Sequence, residues 1–190
     1  MDNEKLNILR LLIESQEKLL SIRKISKLRR INYKSAYFAL KKLAKEGIVN
    51  LKKAGNTTLC SFNMSFNGSV FAVEYHRRNE LLKNKNFLVM YQELQKINAP
   101  FIALLFGSYA KGTQTRHSDI DLLIITDDFK PIGQQVSLFP FKVHATDVRY
   151  KDFKQMLKSR EFTVVSEAIK KNIILIGIEE YYRLVNNANR

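Results

Sequence analysis

The feature that most constrains this chain is a pair of acids set inside an apolar run. Ser118-Asp119-Ile120-Asp121-Leu122-Leu123-Ile124-Ile125 reads as a buried β-strand, yet two of its residues are carboxylates. Unpaired charge in such a run is costly, so the acids need a function or a partner. A side-chain period of two puts Asp119 and Asp121 on one face and Ile120 and Leu122 on the other. Two adjacent carboxylates repel unless a cation lies between them, and oxygen donors of this kind suit Mg²⁺ or Mn²⁺. Upstream, Pro100 ends a helix and Phe101–Phe106 forms a wholly apolar run, as a buried strand should. It stops at Gly107-Ser108. Gly107 admits close backbone approach to a ligand. Ser108 offers a hydroxyl and an amide at the start of a short helix, where anions bind. A phosphate at Gly107-Ser108 beside a metal on Asp119 and Asp121 outlines a nucleoside triphosphate site.

Charge singles out the other end of the chain. The protein carries 32 Lys and Arg against 18 Asp and Glu, a net charge of +14. Residues 20–53 hold eleven basic residues and one acid, Glu46. Such an excess points to a polyanionic partner. The same segment is well patterned. Leu6, Ile8, Leu9, Leu12 and Ile13 predict a helix over 3–14. Ser21 can cap a second short helix, and Asn32 a third over about 33–46 that ends at Gly47. In that third helix Ala36, Leu40 and Leu43 face the core. Ile48–Lys52 and Thr57–Phe62, split by Lys53-Ala54-Gly55-Asn56, predict a basic-tipped hairpin.

Helix, helix–turn–helix and hairpin, carried by Ser21 to Val49, resemble the winged helix-turn-helix family. The resemblance implies a third helix in the DNA major groove and a wing on the backbone. Lys34, Ser35, Lys41, Lys42 and Lys45 would approach the groove, and Lys52 and Lys53 would touch phosphate. Lysine is a point charge, so these are phosphate contacts more than base readers. A winged helix used only for protein contact is the competing expectation. Residues 68–83 and 86–97 read as helices broken near Asn84, and His76 as a surface or interface histidine. A homodimer through the winged helix or residues 68–83 is left open.

Gly107-Ser108, ten intervening residues and Asp119-Ile120-Asp121 resemble the signature of the DNA polymerase beta superfamily of nucleotidyltransferases. Phe106-Gly-Ser-Tyr-Ala-Lys-Gly-Thr and His117-Ser-Asp-Ile-Asp-Leu-Leu-Ile are most similar to its minimal (MNT-type) branch, which includes antitoxins that adenylylate a HEPN-type toxin. The resemblance implies two Mg²⁺ ions about 3.5–4 Å apart on Asp119 and Asp121, ATP or another NTP as substrate, and transfer of a nucleotidyl group to a hydroxyl. It also implies a third carboxylate on a nearby strand. Asp147, in the strand-like Phe141–Val148, is the choice here, as a metal ligand that takes the hydroxyl proton. Lys111 and Arg116, between the motif halves, are candidate phosphate contacts or ordinary loop charges. Asp127 and Asp128 read as loop acids, and Asp152 as a helix-start acid. His117 and His144 read as surface or packing histidines. Helices over 151–158, 161–171 and 178–185, with a short strand at 173–176, complete the chain.

These readings give an α+β protein: a winged helix-turn-helix domain over 1–64, a helical connector over 65–85, and a small mixed-sheet nucleotidyltransferase domain with flanking helices over 86–190. The lone Cys60 excludes an intrachain disulfide and a Cys-rich zinc site. With no signal-peptide pattern after Met1 and no apolar run near membrane-spanning length, the expectation is a cytoplasmic protein without membrane contact. Three functions compete: a DNA-associated nucleotidyltransferase, an antitoxin paired with a separate toxin being one form of it; a transcription regulator whose transferase domain only senses nucleotide; and a small-molecule transferase of the aminoglycoside-modifying kind.

Overall fold

The structure is a computed structural model that describes residues 3–16, 18–158 and 163–188. The chain divides into two compact units, Met1–Val73 and Glu74–Arg190.

The first unit opens with α1 (Asn3–Glu14), followed by the two-residue strand β1 (Leu20–Ser21), α2 (Ile22–Arg29) and α3 (Tyr33–Lys45). The caps are those the sequence predicts. The Ser21 hydroxyl accepts from the Lys24 amide, and the Asn32 side chain from the Ser35 amide. Helix α3 closes at Glu46, and Gly47 follows at φ +70°, the left-handed position that suits glycine. The wing is β2 (Val49–Ala54) and β3 (Thr57–Phe62), joined through Gly55-Asn56. Gly55 has φ +56° at the first turn position, which a glycine there can adopt without strain. Strand β1, which the sequence pattern does not reveal, pairs antiparallel with β3 and makes a sheet of order β1-β3-β2. Ile8, Leu9, Leu12, Ile25, Leu40, Leu43, Ile48 and Cys60 are buried. Burial pushes the Cys60 thiol up to about 11. The one acid of the basic stretch serves the architecture, since Lys5 Nζ donates to both Glu46 carboxylate oxygens at 2.7 and 2.9 Å. Arg29 pairs with Glu4 at 3.0 Å. One ion pair thus ties α2 to α1, and another ties the end of α3 to it.

Helix α4 (Gly68–Leu81) starts at Asn67, whose side chain accepts from the Ser69 and Val70 amides. The border between the units falls inside it. In the second unit α5 (Lys85–Gln95), capped by Asn84, precedes β4 (Ile102–Phe106), α6 (Gly107–Lys111), β5 (Ile120–Ile125), α7 (Lys130–Ser137) and β6 (Val143–Val148). Then come α8 (Tyr150–Lys158), α9 (Val164–Lys170), β7 (Ile173–Ile176) and α10 (Ile178–Ala188). Residues 161 and 162 of the expected helix over 161–171 lie outside the described residues. The mixed sheet runs β6-β5-β4-β7, with β4 antiparallel to β5 and β7, and β6 parallel to β5. One face of the sheet carries Ala103, Leu105, Ile120, Leu122 and Ile124, which pack with Phe87, Met90 and Leu94 of α5 and Ile132 of α7.

A buried polar cluster braces this unit. Arg77 donates to Glu74 at 2.6 Å and to the Asn172 carbonyl at 2.5 Å, and the Tyr182 hydroxyl donates to the other Glu74 oxygen at 2.5 Å. Glu74 and Arg77 are 1% and 5% exposed, so each charge depends on its partners in this cluster. Burial, reinforced by the neighbouring Glu74 charge, raises the Tyr182 hydroxyl well above its ordinary range. Burial raises Tyr181 likewise. The architecture is α+β throughout, as expected. Among the described residues no helix is long and apolar enough to cross a membrane.

Candidate functional site

Strands β4 and β5 place Phe106 opposite Asp121. The chain leaves β4 through Gly107 at φ +69° and turns at once into α6, with no side-chain cap. A Cβ at 107 would lie 2.2 Å from Asp121 Oδ2, so any side chain there would force the carboxylate aside. The glycine thus lets the backbone stand directly against a carboxylate. Ser108 follows, half-buried, and its carbonyl accepts from the Thr113 amide at 3.0 Å. Tyr109 of α6 meets Phe87 of α5 edge to face at 5.2 Å, fixing the short helix to the core.

Asp119 sits one residue ahead of β5. The loop that delivers it is closed by the Thr115 amide donating to Ser118 Oγ at 2.9 Å. The Ile120 amide donates to the Lys142 carbonyl at 3.1 Å, which carries the sheet geometry to the strand start. Ile120 and Leu122 belong to the core face, so alternation puts Asp119 and Asp121 together on the other face. Both are partly open to solvent, at 37% and 29% side-chain exposure.

Strand β6 supplies their neighbours. Its parallel register aligns Asp121 with His144 and Ile124 with Asp147. His144 Nδ1 stands 3.7 Å from Asp121 Oδ1, and Lys142 Nζ donates to Asp119 Oδ2 at 2.7 Å. The register corrects two expectations. Asp147 is aligned with a core-facing residue, so it projects from the opposite face and does not join the pair; an odd offset from His144 reverses the side. His144, read from sequence as a surface or packing residue, takes the place beside Asp121 instead. Lys142 is a site residue that sequence reasoning does not single out. The signal for both lies in the alternation Lys142, His144, Thr146, but it becomes legible only once the register against β5 is known.

Among the described residues no three His, Cys, Asp or Glu side chains are grouped to hold a metal ion. Asp119 and Asp121 still fit a hard divalent cation through their donor chemistry. They are oxygen-only, anionic and partly solvated, and their carboxylates already turn toward basic groups. Lys111 donates to Glu167 of α9 rather than standing free for phosphate. Arg116 lies exposed in the loop between α6 and β5.

In the first unit, Lys34, Ser35, Lys41, Lys42 and Lys45 of α3 lie on its outer side, and Lys52 and Lys53 lie near the wing tip, exposed. At the helical repeat the α3 residues share an arc of about 120°, opposite the buried Ala36, Ala39, Leu40 and Leu43. A groove of about 670 Å³ opens between α2 and the wing turn, with Arg23 and Lys27 on one wall and Asn56 and Thr57 on the other.

Residues 91–185 match the model of the nucleotidyltransferase domain family. No curated protein sequence matches the chain. Two solved structures are similar. One is a zinc-responsive MarR family member, ZitR of Lactococcus lactis, at 20% identity and a TM-score of 0.33, covering 52% of this chain and 64% of that one. The other is a mutant of the same ZitR protein, at 25% identity and a TM-score of 0.32, covering 50% and 62%. The match thus spans just under two thirds of the length of each.

Proposed function

The chain belongs to the nucleotidyltransferase domain family, and from that premise we propose that it transfers a nucleotidyl group from an NTP, ATP first among them, to a hydroxyl of a macromolecule. The observation that carries this reading is the contact of Gly107 with Asp121, with Asp119 on the same face. A backbone turn suited to phosphate thus adjoins two carboxylates suited to a cation. Asp119 and Asp121 would hold Mg²⁺ or Mn²⁺, which when bound neutralises the triphosphate and the pyrophosphate leaving group. Gly107 and Ser108 hold the phosphate chain by backbone amide and hydroxyl. Arg116, exposed in the loop between α6 and β5, would add positive charge near the triphosphate. The pair Asp119 and Asp121 orients the reacting groups, and catalysis rests on position and charge more than on covalent chemistry.

Residues 1–64 are the DNA-binding part of this proposal, and residues 86–190 the transferase. The cationic face of α3 and the wing lysines favour a polyanionic target over a small-molecule acceptor. A separate HEPN-type toxin is the protein acceptor that the family resemblance implies.

One observation favours a second reading, nucleotide sensing without transfer. The face that carries Asp119 and Asp121 has His144 where a third carboxylate is expected. A single experiment separates the two. The protein is incubated with Mg²⁺, each labelled NTP and cell extract, beside the Asp119→Asn, Asp121→Asn double variant. Label transferred to protein or nucleic acid and lost in the variant supports transfer. Nucleotide binding without label supports sensing.

A further inference from the structure

The exposed arc of α3 has an apolar centre. Phe38 is 58% exposed, flanked along the helix by Lys34, Lys41, Lys42 and Lys45. Its ring meets the Tyr37 ring edge to face at 5.7 Å, and Lys41 lies over Tyr37 at 5.6 Å, so the aromatic is oriented by its neighbours. Core packing does not explain Phe38, because the buried side of the helix is filled by Ala36, Ala39, Leu40 and Leu43.

The rest of the arc explains affinity but not selectivity. Four lysines attract phosphate without reading sequence. The arc has no Arg, Asn or Gln, the residues that make bidentate contacts to guanine or adenine. Ser35 can bond to any base edge. The one apolar group that the major groove displays is the C5 methyl of thymine.

We propose that Phe38 is a specificity-determining residue that packs against a thymine methyl in the DNA major groove, with the surrounding lysines holding the phosphates. This deepens the DNA-binding reading of residues 1–64 and rests on it. The occupant is duplex DNA, chosen by charge complementarity with the α3 and wing lysines and by the match of one exposed ring to one exposed methyl.

The test uses the full chain and a random-sequence duplex pool. The best binders selected from the pool are then remade with uracil in place of thymine, which removes only the methyl. The wild type should bind the thymine form on the order of fourfold more tightly, the worth of one buried methyl. Phe38→Ala should bind both forms equally and retain its salt dependence; its circular dichroism should be unchanged, because the ring is exposed. Equal binding of the two forms by the wild type overturns the Phe38 assignment alone. Tighter binding of the single strands than of the duplex overturns it in favour of base stacking. Failure to bind any pool at low salt overturns the DNA-binding reading itself.

Discussion

Gly107 stands so close to Asp121 that a single methyl group at position 107 would overlap the carboxylate, with 2.2 Å between Cβ and Oδ2. Gly107→Ala must therefore displace Asp121 or tear the α6 start away from β5. The left-handed φ of +69° adds a backbone cost of about 1–2 kcal/mol. The expected outcome is a modest fall in thermal stability with a loss of nucleotidyl transfer of about 100-fold, since a shift near 1 Å at a reacting centre suffices for that. Thermal unfolding and labelled-NTP transfer, measured on the same preparation, check it.

Asp147 offers the converse. It projects from the face opposite Asp119 and Asp121, so Asp147→Asn should leave transfer within about twofold of wild type, an effect no larger than a surface change makes. Asp121→Asn should abolish transfer. Equal loss in both variants would sink the register argument.

Tyr182 links the buried cluster to pH. Its hydroxyl is raised by burial and by Glu74, and that of Tyr181 by burial, so both stay protonated in the folded chain at a pH where the unfolded chain ionises them, about 10. Their contribution to stability is full below that pH and is lost as pH climbs toward the folded values. Tyr182→Phe also removes the hydrogen bond to Glu74, a cost of about 1.5–3 kcal/mol at neutral pH. Urea unfolding at neutral and alkaline pH should show a less stable variant whose stability then falls less steeply than that of wild type.

If residues 1–64 bind duplex DNA as proposed, the outward lysines of α3 act through phosphate. Lys42→Ala and Lys45→Ala should each weaken binding to all duplex sequences alike and reduce the slope of log K against log salt by about one. A salt titration of each variant on one duplex, read by fluorescence anisotropy, decides it.

What is legible in the sequence is what local chemistry determines. Ser21, Asn32 and Gly47 announce the ends of α2 and α3 because capping needs only neighbouring residues. Gly107 and the acids at 119 and 121 stand out for the same reason, as a turn and a period-two pair. Strand β1 is not legible, since two residues make no pattern and only β3 turns them into a strand. Helix α7 is hidden because Pro131 and Gly133 look like loop residues, whereas Pro131 sits in the first turn of the helix and buried Ile132 anchors it. The faces of Lys142, His144 and Asp147 depend on how β6 slides along β5, and that alignment is set by the packing of Val143 and Ala145 against the core.

Helix α4 constrains where the chain can be divided. A recombination event that joined or exchanged the two halves at their border would cut between Val73 and Glu74, in the middle of a helix. The downstream piece would keep Glu74 and Arg77 but lose the Asn67 cap and the first six residues of the helix. A cut upstream of Asn67 would leave the helix and its cap whole.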